Sequence, residues 1–326
     1  MNLIVTGGMG FIGSNFIRYR MNRHPEDVII NVDRITYASN SLNLDLNKNR
    51  NHKFVNVDIV DYEKMEHVAK DADCIINFAA ESHVDNSISS SDEFVRSNIL
   101  GTHTLLKIVQ EKGIRFHHIS TDEVFGSLNL NSNKKFDDTS PYNPRNPYSA
   151  TKASSDFLVK AFINTYGVKA TISNCSNNYG PYQHPEKLIP KTILSAISGK
   201  KIPIYGEGNQ IRDWVHVIDH STAISLIVDK GKIGTTYLVG GNEETRNIDI
   251  VKKIIKIMNR SDNLIEFVPD RLGHDVKYAI ETSTELVKLG WKKTVVLENG
   301  LRDTIQHYIE NKKHYENYDK WQGEWN

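Results

Sequence analysis

The sequence predicts an α/β fold built on a doubly wound parallel sheet, with a smaller mixed α/β unit in its C-terminal half. Three observations point there. Short apolar runs alternate with amphipathic stretches through the first half. The first run turns into a glycine-rich loop, TGGMGFIG at 6–13. From about Gly180 the texture changes: Pro181, Pro185, Pro190 and Pro203 punctuate the chain, and Gly199, Gly206 and Gly208 mark turns.

The elements follow in order. Leu3–Thr6 is a strand ended by Gly7, Val28–Val32 one ended by Asp33, and Lys53–Val57 one ended by Asp58. Cys74–Phe78 and Phe116–Ser120 are the fourth and fifth. Continuous apolar runs of this length suit parallel strands covered on both faces, with right-handed crossovers between them. The crossovers are Ser14–Asn22, Tyr62–Lys70 and Phe94–Lys112, the last with Val95, Ile99, Leu106 and Val109 near one face. A helix over Tyr148–Tyr166 repeats Ala153, Phe157 and Ala161 at four-residue spacing. Ile248–Asn259 and Leu301–Asn311 are later helices, and Tyr315–Asn326 is a loose tail. With 326 residues and about 150 per domain, the expected division is 1–178 and 179–326, with some interleaving.

Composition excludes several functions. Forty Lys+Arg balance forty Asp+Glu, so there is no basic surplus for wholesale nucleic-acid binding. Any anionic ligand must be met by placed groups. Two cysteines, Cys74 and Cys175, are too few for a disulfide scaffold and read as buried thiols of a reducing cytoplasm. No apolar run reaches the roughly 18 residues of a membrane span. The 13 histidines form no cluster with metal-ligand spacing, so no metal is expected.

Gly7, Gly10 and Gly13 form a G-x-x-G-x-x-G series after the first strand. A sharp strand-to-helix turn, a close backbone approach to pyrophosphate and tight packing of the helix each favour a residue without Cβ. The helix start then offers free N–H groups to phosphate. Asp33 lies 20 residues beyond Gly13, where a carboxylate accepts ribose hydroxyls. These features make the first unit Rossmann-type. Asp33 repels a 2′-phosphate, so NAD is expected over NADP, although Arg34 beside it could accept one. Asp58 ends the third strand, where it either meets adenine or caps the strand end.

Tyr148 and Lys152 in YSATK share one helix face. A nearby ammonium, helped by a positive nicotinamide ring, lowers a phenol's pKa from about 10 and makes it a usable base. Thr121 stands at a strand end 27 residues earlier. Asp122 and Glu123 follow it directly, and adjacent acids aimed into a cleft can serve as an acid–base pair.

TGGMGFIG, NFAAESHVD, STDEVFG and YSATK together resemble the extended short-chain dehydrogenase/reductase superfamily. VDRITYASN, NPYSATKA, NNYGPYQHPEKLIP, IYGEGNQIRDWVHV and RLGHDVKYAI, in order over nearly the whole chain, narrow the resemblance to its dTDP-glucose 4,6-dehydratases. Two departures are a shorter stretch between Gly126 and Tyr148 and Leu272 where many members have proline. The resemblance implies a lyase that makes dTDP-4-keto-6-deoxyglucose, a rhamnose-type precursor, with NAD tightly bound and regenerated. It implies that Tyr148 takes the carbon 4 hydroxyl proton, with Thr121 on that oxygen and Lys152 holding the phenolate. Glu123 then removes the carbon 5 proton and Asp122 protonates the departing carbon 6 hydroxyl.

It also implies cofactor contacts from Phe11, Ile12, Thr36, Ile59, Ala79, Ala80, Ser82 and Ser97, besides the glycines, Asp33, Arg34, Asp58, Tyr148 and Lys152. The dTDP-sugar would meet Ser82, His83, Asp85, Thr121, Asn178, Lys187 and Leu188. Pro203, Tyr205, Arg212, Asn247, Arg271, His274 and Tyr278 would complete that site, Arg212, Arg271 and His274 at the diphosphate. Related enzymes pair into homodimers through a four-helix bundle, and the stretches 94–112 and 148–166 are the candidate helices. Two alternatives share the cofactor loop: a UDP-sugar 4-epimerase, which needs no Asp122–Glu123 pair, and a non-catalytic NAD sensor, which needs neither Tyr148 nor Lys152.

Overall fold

The computed structural model describes residues 1–44, 50–270 and 273–315. Among them the chain begins β1 (Asn2–Thr6), α1 (Phe11–Arg23), β2 (Val28–Asp33), β3 (His52–Asn56), α2 (Tyr62–Val68) and β4 (Cys74–Asn77). It continues with α3 (Val84–Ser89), the single turn α4 (Asp92–Phe94), a π-helical segment Val95–Gly101 and α5 (Thr102–Lys112). Then come β5 (Arg115–Thr121), a 3₁₀ turn Asp122–Phe125, α6 (Pro147–Tyr166), β6 (Ala170–Cys175) and β7 (Asn177–Tyr179). The C-terminal half supplies α7 (Leu188–Ser198), β8 (Ile202–Tyr205), β9 (Ile211–Arg212), β10 (Trp214–His216), α8 (Val217–Lys230) and β11 (Thr236–Val239). It ends with β12 (Thr245–Arg246), α9 (Asn247–Ile257), β13 (Ile265–Val268), α10 (Thr284–Lys288), α11 (Leu297–Glu310) and a 3₁₀ turn Lys312–Tyr315.

Seven strands form one sheet in the order β11-β6-β5-β4-β1-β2-β3, every pairing parallel. Alternate residues of each strand face opposite layers. Ile4, Val32 and Ile75 pack under α2, α5 and α6, whereas Leu3, Val5, Ile29 and Ile76 pack under α1 and α8. Helices on both faces make the sheet doubly wound. The strand order reverses between β1 and β4, and a doubly wound sheet opens a crevice beyond its strand ends at such a point.

A second core gathers Ile189, Ile193, Ile250, Ile254, Leu301 and Ile305 from α7, α9 and α11. The chain beyond residue 178 contributes to both cores. β11 pairs with β6, and α8 contributes Ile224 and Val228 to the sheet's own core. The stretch after Gly126 is tied to the C-terminal half by Leu128 N–H to Lys277 O (3.0 Å) and Phe136 N–H to Ala279 O (2.9 Å).

The stretch 94–112 departs from its expected single face. A π segment closes wider turns than an α-helix and shifts every later side chain around the axis. Leu106 and Val109 are buried, but Val95 and Leu100 lie about half exposed. On α6, Ala153 is buried while Phe157 stands out at 57% exposure.

Candidate active site

A cavity of about 300 Å³ opens at the C-terminal ends of the sheet strands. Its floor is the turn from β1 into α1. A Cβ on Gly13 would lie 2.4 Å from the Gly7 carbonyl oxygen, and one on Gly7, where φ is +69°, 2.7 Å from the Ala79 nitrogen. Backbone meets backbone at both points, so only glycine fits. Gly10 caps α1 without a side-chain hydrogen bond, leaving first-turn N–H groups at Phe11 and Ile12 directed to the cavity rim. That cradle suits a pyrophosphate.

Asp33 ends β2 at the next wall. Its Oδ2 accepts from Met9 N (3.0 Å) and its Oδ1 from Ile35 N and Ser39 Oγ (2.8 Å each). Arg34 is spread over three carboxylates, Asp58 (3.2 Å), Glu81 (3.2 Å) and Glu93 (2.9 Å). Asp58 also pairs with Arg96 at 2.7 Å and takes the Val60 N–H at 3.1 Å, so it caps the strand end while lining the cavity. An arginine so engaged offers little to a 2′-phosphate. Thr36, Ile59, Ala79, Ala80, Ser82 and Ser97 line the same cavity.

The reacting face is built by β5 and α6. β5 ends at Thr121, and the 3₁₀ turn after it carries Asp122 and Glu123 into the cavity opposite Tyr148 and Lys152. α6 starts on an Asn146–Ser149 capping box with Pro147 in the first turn, which fixes where Tyr148 points. Asp122 is 1% exposed, and its Oδ2 has no hydrogen-bond partner. Burial first, then the Glu123 and Asp213 carboxylates, push its carboxyl well above the ordinary range; Arg212 opposes them. Burial of this kind favours the protonated acid. The Glu123 carboxylate takes a long hydrogen bond from Tyr278 Oη at 3.4 Å.

The groups around Tyr148 act against the expected phenolate. Burial and the Glu123 carboxylate push the phenol well above its usual value, with the Thr121 hydroxyl pulling the other way. The Lys152 ammonium instead donates to Ile119 O at 2.7 Å, and burial brings it to about 8.

The expected sugar-side residues divide. Ser82, Thr121, Asn178 and Lys187 line the cavity. His83, Asp85, Leu188, Pro203, Tyr205, Arg212, Asn247, His274 and Tyr278 do not; His83 and Asp85 stand at the start of α3, and the rest belong to the C-terminal half. His83 lies 3.9 Å from Glu186, and Tyr205 Oη donates to Asp85 at 3.2 Å. His274 meets Asp270 at 2.6 Å and stacks edge-on against Tyr205. Leu188 opens α7, Pro203 lies in β8, and Asn247 opens α9 with a buried, unpartnered Oδ1. Arg212 is buried: it donates to Ile211 O and Asp275 O (2.9 Å each) and covers the Tyr278 ring at 4.3 Å. Arg271, with Leu272, lies outside the described residues. No group of three His, Cys, Asp or Glu with metal-binding geometry occurs among the described residues.

The model of the GDP-mannose 4,6 dehydratase family matches residues 4–304. The chain is 45% identical to a dTDP-glucose 4,6-dehydratase of Mycobacterium tuberculosis over 95% of its length and 94% of that protein's. The chain belongs to this dehydratase family. The Bacillus anthracis dTDP-glucose 4,6-dehydratase solved with NAD superposes with a TM-score of 0.89, at 42% identity over 96% of this chain and 98% of that one. The Streptomyces venezuelae dTDP-glucose 4,6-dehydratase, solved with NAD and a dTDP ligand, gives 0.93 at 38% identity, over 96% and 98%. This dehydratase family comprises NAD-dependent hydro-lyases.

Sequence reasoning missed several cavity residues of this dehydratase: Glu81, Ser120, Cys175, Gln183, His184 and Glu186. A signal existed for the last three, since they flank Lys187 in the NNYGPYQHPEKLIP segment. Glu186 is held low, to about 2: burial opposes ionisation, but His184, Lys187 and His83 outweigh it.

Proposed function

We infer that the protein converts dTDP-glucose to dTDP-4-keto-6-deoxyglucose and water. The observation that carries this reading is Asp122, a buried carboxyl with an unpartnered Oδ2, set beside a second acid, Glu123, in the cavity that Tyr148 and Lys152 also line. An epimerase has no leaving hydroxyl to protonate. The family's relatives carry the same activity by name.

NAD fits the glycine cradle and the Asp33 wall, and when bound it accepts hydride from carbon 4 and returns it to carbon 6. Gly7, Gly10, Phe11, Ile12 and Gly13 would hold its pyrophosphate and Asp33 its ribose. Tyr148, as phenolate, takes the proton from the carbon 4 hydroxyl, and Thr121 steadies that oxygen. Lys152 supplies the positive charge that makes the phenolate attainable. The ketone then acidifies carbon 5; Glu123 removes that proton and gives one back to carbon 5 as hydride reaches carbon 6. Asp122 gives its proton to the departing carbon 6 hydroxyl. Over a turnover Tyr148 gains a proton and Asp122 loses one, so the site resets by moving one proton between them. Ser82, His83, Asp85, Asn178 and Lys187, with the more distant group from Tyr205 to Tyr278, would hold the nucleotide sugar.

The chain is also assigned to a cytoplasmic homodimer. No helix among the described residues is long and apolar enough to cross a membrane, and both cysteines are buried and unbridged. Val95, Leu100 and Phe157, exposed on two helices that pack together, supply apolar surface for a four-helix bundle. The division into a cofactor unit and a sugar unit near residue 178, with β11 and α8 returning to the first, accompanies this reading.

Incubation with dTDP-glucose, UDP-glucose and GDP-mannose side by side, with proton NMR of the products, tests it. A carbon 6 methyl signal arising fastest from dTDP-glucose is expected. A product that keeps its carbon 6 hydroxyl makes the protein an epimerase; NAD binding without turnover makes it a sensor.

A further inference from the structure

Asp156 lies one turn beyond Lys152 on α6 and is wholly buried. The mechanism above gives it no task. Its Oδ2 accepts three hydrogen bonds, from Ser120 Oγ (2.8 Å), Tyr142 Oη (2.9 Å) and Asn174 Nδ2 (3.1 Å). Its Oδ1 carries no hydrogen bond of ordinary geometry and faces His118 Nε2 at 3.5 Å.

A directed chain of hydrogen bonds sets what that imidazole presents. The Ala79 N–H, which can only donate, meets Thr6 Oγ1 at 3.3 Å. Thr6 therefore turns its own proton to Asn77 Oδ1 at 2.7 Å. This orients the Asn77 amide so that Nδ2 donates to His118 Nδ1 at 3.2 Å. His118 must then carry its proton on Nε2. Ser155 agrees: its hydroxyl donates to Lys152 O (2.8 Å), leaving its oxygen to accept from Nε2 at 3.2 Å. A proton on Asp156 Oδ1 would point at an N–H, and three donors on Oδ2 favour the carboxylate.

Lys152 Nζ stands 3.3 Å from the same Nε2, so the ammonium and the carboxylate flank one imidazole nitrogen. Its other charged or titratable neighbours are few. On α6 they are Tyr148 and Asp156. β5 brings His118, held neutral well below its usual range by burial first and then by Lys152 and His117. The end of β6 brings Cys175, its thiol pushed to about 12 by burial. Lys160 lies on the far side of Asp156 along the helix. Burial holds the Asp156 carboxyl above its ordinary value, and Lys152 with the three donors offsets part of that rise.

We propose that Asp156 is the buried counter-charge of Lys152, a positioning residue that keeps the ammonium protonated at working pH, with the Thr6–Asn77–His118 chain fixing the imidazole so that it presents an N–H to the carboxylate. The proposal rests on Lys152 serving the Tyr148 phenolate as read above. Removing the negative charge lets Lys152 lose its proton at lower pH.

The test uses the NAD-loaded protein with ¹³C-labelled lysine, the Lys152 signal assigned through Lys152→Met. In Asp156→Asn the Lys152 midpoint should fall by about one pH unit or more. The alkaline limb of kcat/KM should fall with it, while kcat/KM on the acid side stays within a few-fold of wild type. Tyr142→Phe, which removes one donor from Oδ2, should shift both the same way by less. If Asp156→Asn does not fold, Tyr142→Phe alone decides. A lysine midpoint that stays put in the folded variant overturns the proposal, as does a uniform loss of rate with an unchanged pH profile. Absence of dehydratase turnover in the wild type would refute the functional reading instead, and the lysine titration would still judge the counter-charge.

Discussion

Replacing Asp122 by asparagine separates chemistry from stability in one residue. Asparagine keeps the shape and the contact to Thr121 Oγ1, which lies 3.3 Å from Asp122 Oδ1. It cannot give a proton to a leaving hydroxyl. Asp122 is 1% exposed, so water is a poor substitute at that point. The loss in kcat should therefore reach the upper part of the general-acid range, about 10³–10⁴, or roughly 4–5 kcal/mol in barrier. Stability should move the other way. The folded carboxyl sits well above its ordinary 3.8, so the folded state holds a proton that the unfolded chain releases. Wild-type stability therefore falls as pH rises from 3.8 through the folded value. The substituted amide does not titrate, so the variant's advantage over wild type should grow toward alkaline pH. Product formation rates and melting curves from pH 4 to 9 measure both. A kcat within tenfold of wild type, or a stability difference that does not change with pH, refutes the reasoning.

Three further outcomes are expected. Glu123→Gln should still oxidise carbon 4, seen as the absorbance of reduced cofactor, but should lose solvent-deuterium exchange at carbon 5; normal turnover would remove Glu123 from its role. Gly13→Ala drives a methyl to 2.4 Å from the Gly7 oxygen, so NAD retention through gel filtration should fall and stability drop by about 1–3 kcal/mol; unaltered retention would show that the loop yields easily. Phe157→Asp should shift the proposed dimer to a monomer in analytical ultracentrifugation, because each Phe157 buried in the proposed bundle would contribute about 1.5–3 kcal/mol to association; a dimer of wild-type affinity would place the interface elsewhere.

Much of the first unit was legible because its signals are local. Strand endings at Thr6, Asp33, Asn77 and Thr121 follow from apolar runs cut by polar or glycine residues. The glycine spacing follows from backbone contact, as the Gly7 and Gly13 distances bear out. What was not legible depended on distant partners. β11 joins the sheet beside β6 only after the long excursion through the second body, and nothing in its four residues names that neighbour. The π segment turned Val95 outward, although periodicity at 3.6 residues grouped it with Leu106. Arg212 was assigned to the diphosphate by resemblance alone; its burial against Tyr278 and Asp275 is set by residues more than sixty positions away. Tyr148 and Lys152 were found by spacing, but Lys152's partner is the Ile119 carbonyl, which no side-chain motif records. The balanced charge of the chain is met by the same economy: carboxylates brace Arg34, and backbone N–H groups serve where a cation might have been expected.

The central claim is that one site oxidises carbon 4, expels water across carbons 5 and 6, and returns the same hydrogen to carbon 6. Deuterium placed at carbon 4 of dTDP-glucose tests it directly. The account predicts a 4-keto-6-deoxy product with that deuterium in its carbon 6 methyl group and no net reduction of cofactor. A product bearing deuterium at carbon 4 with its carbon 6 hydroxyl intact, or one whose methyl group carries none of the label, would contradict it.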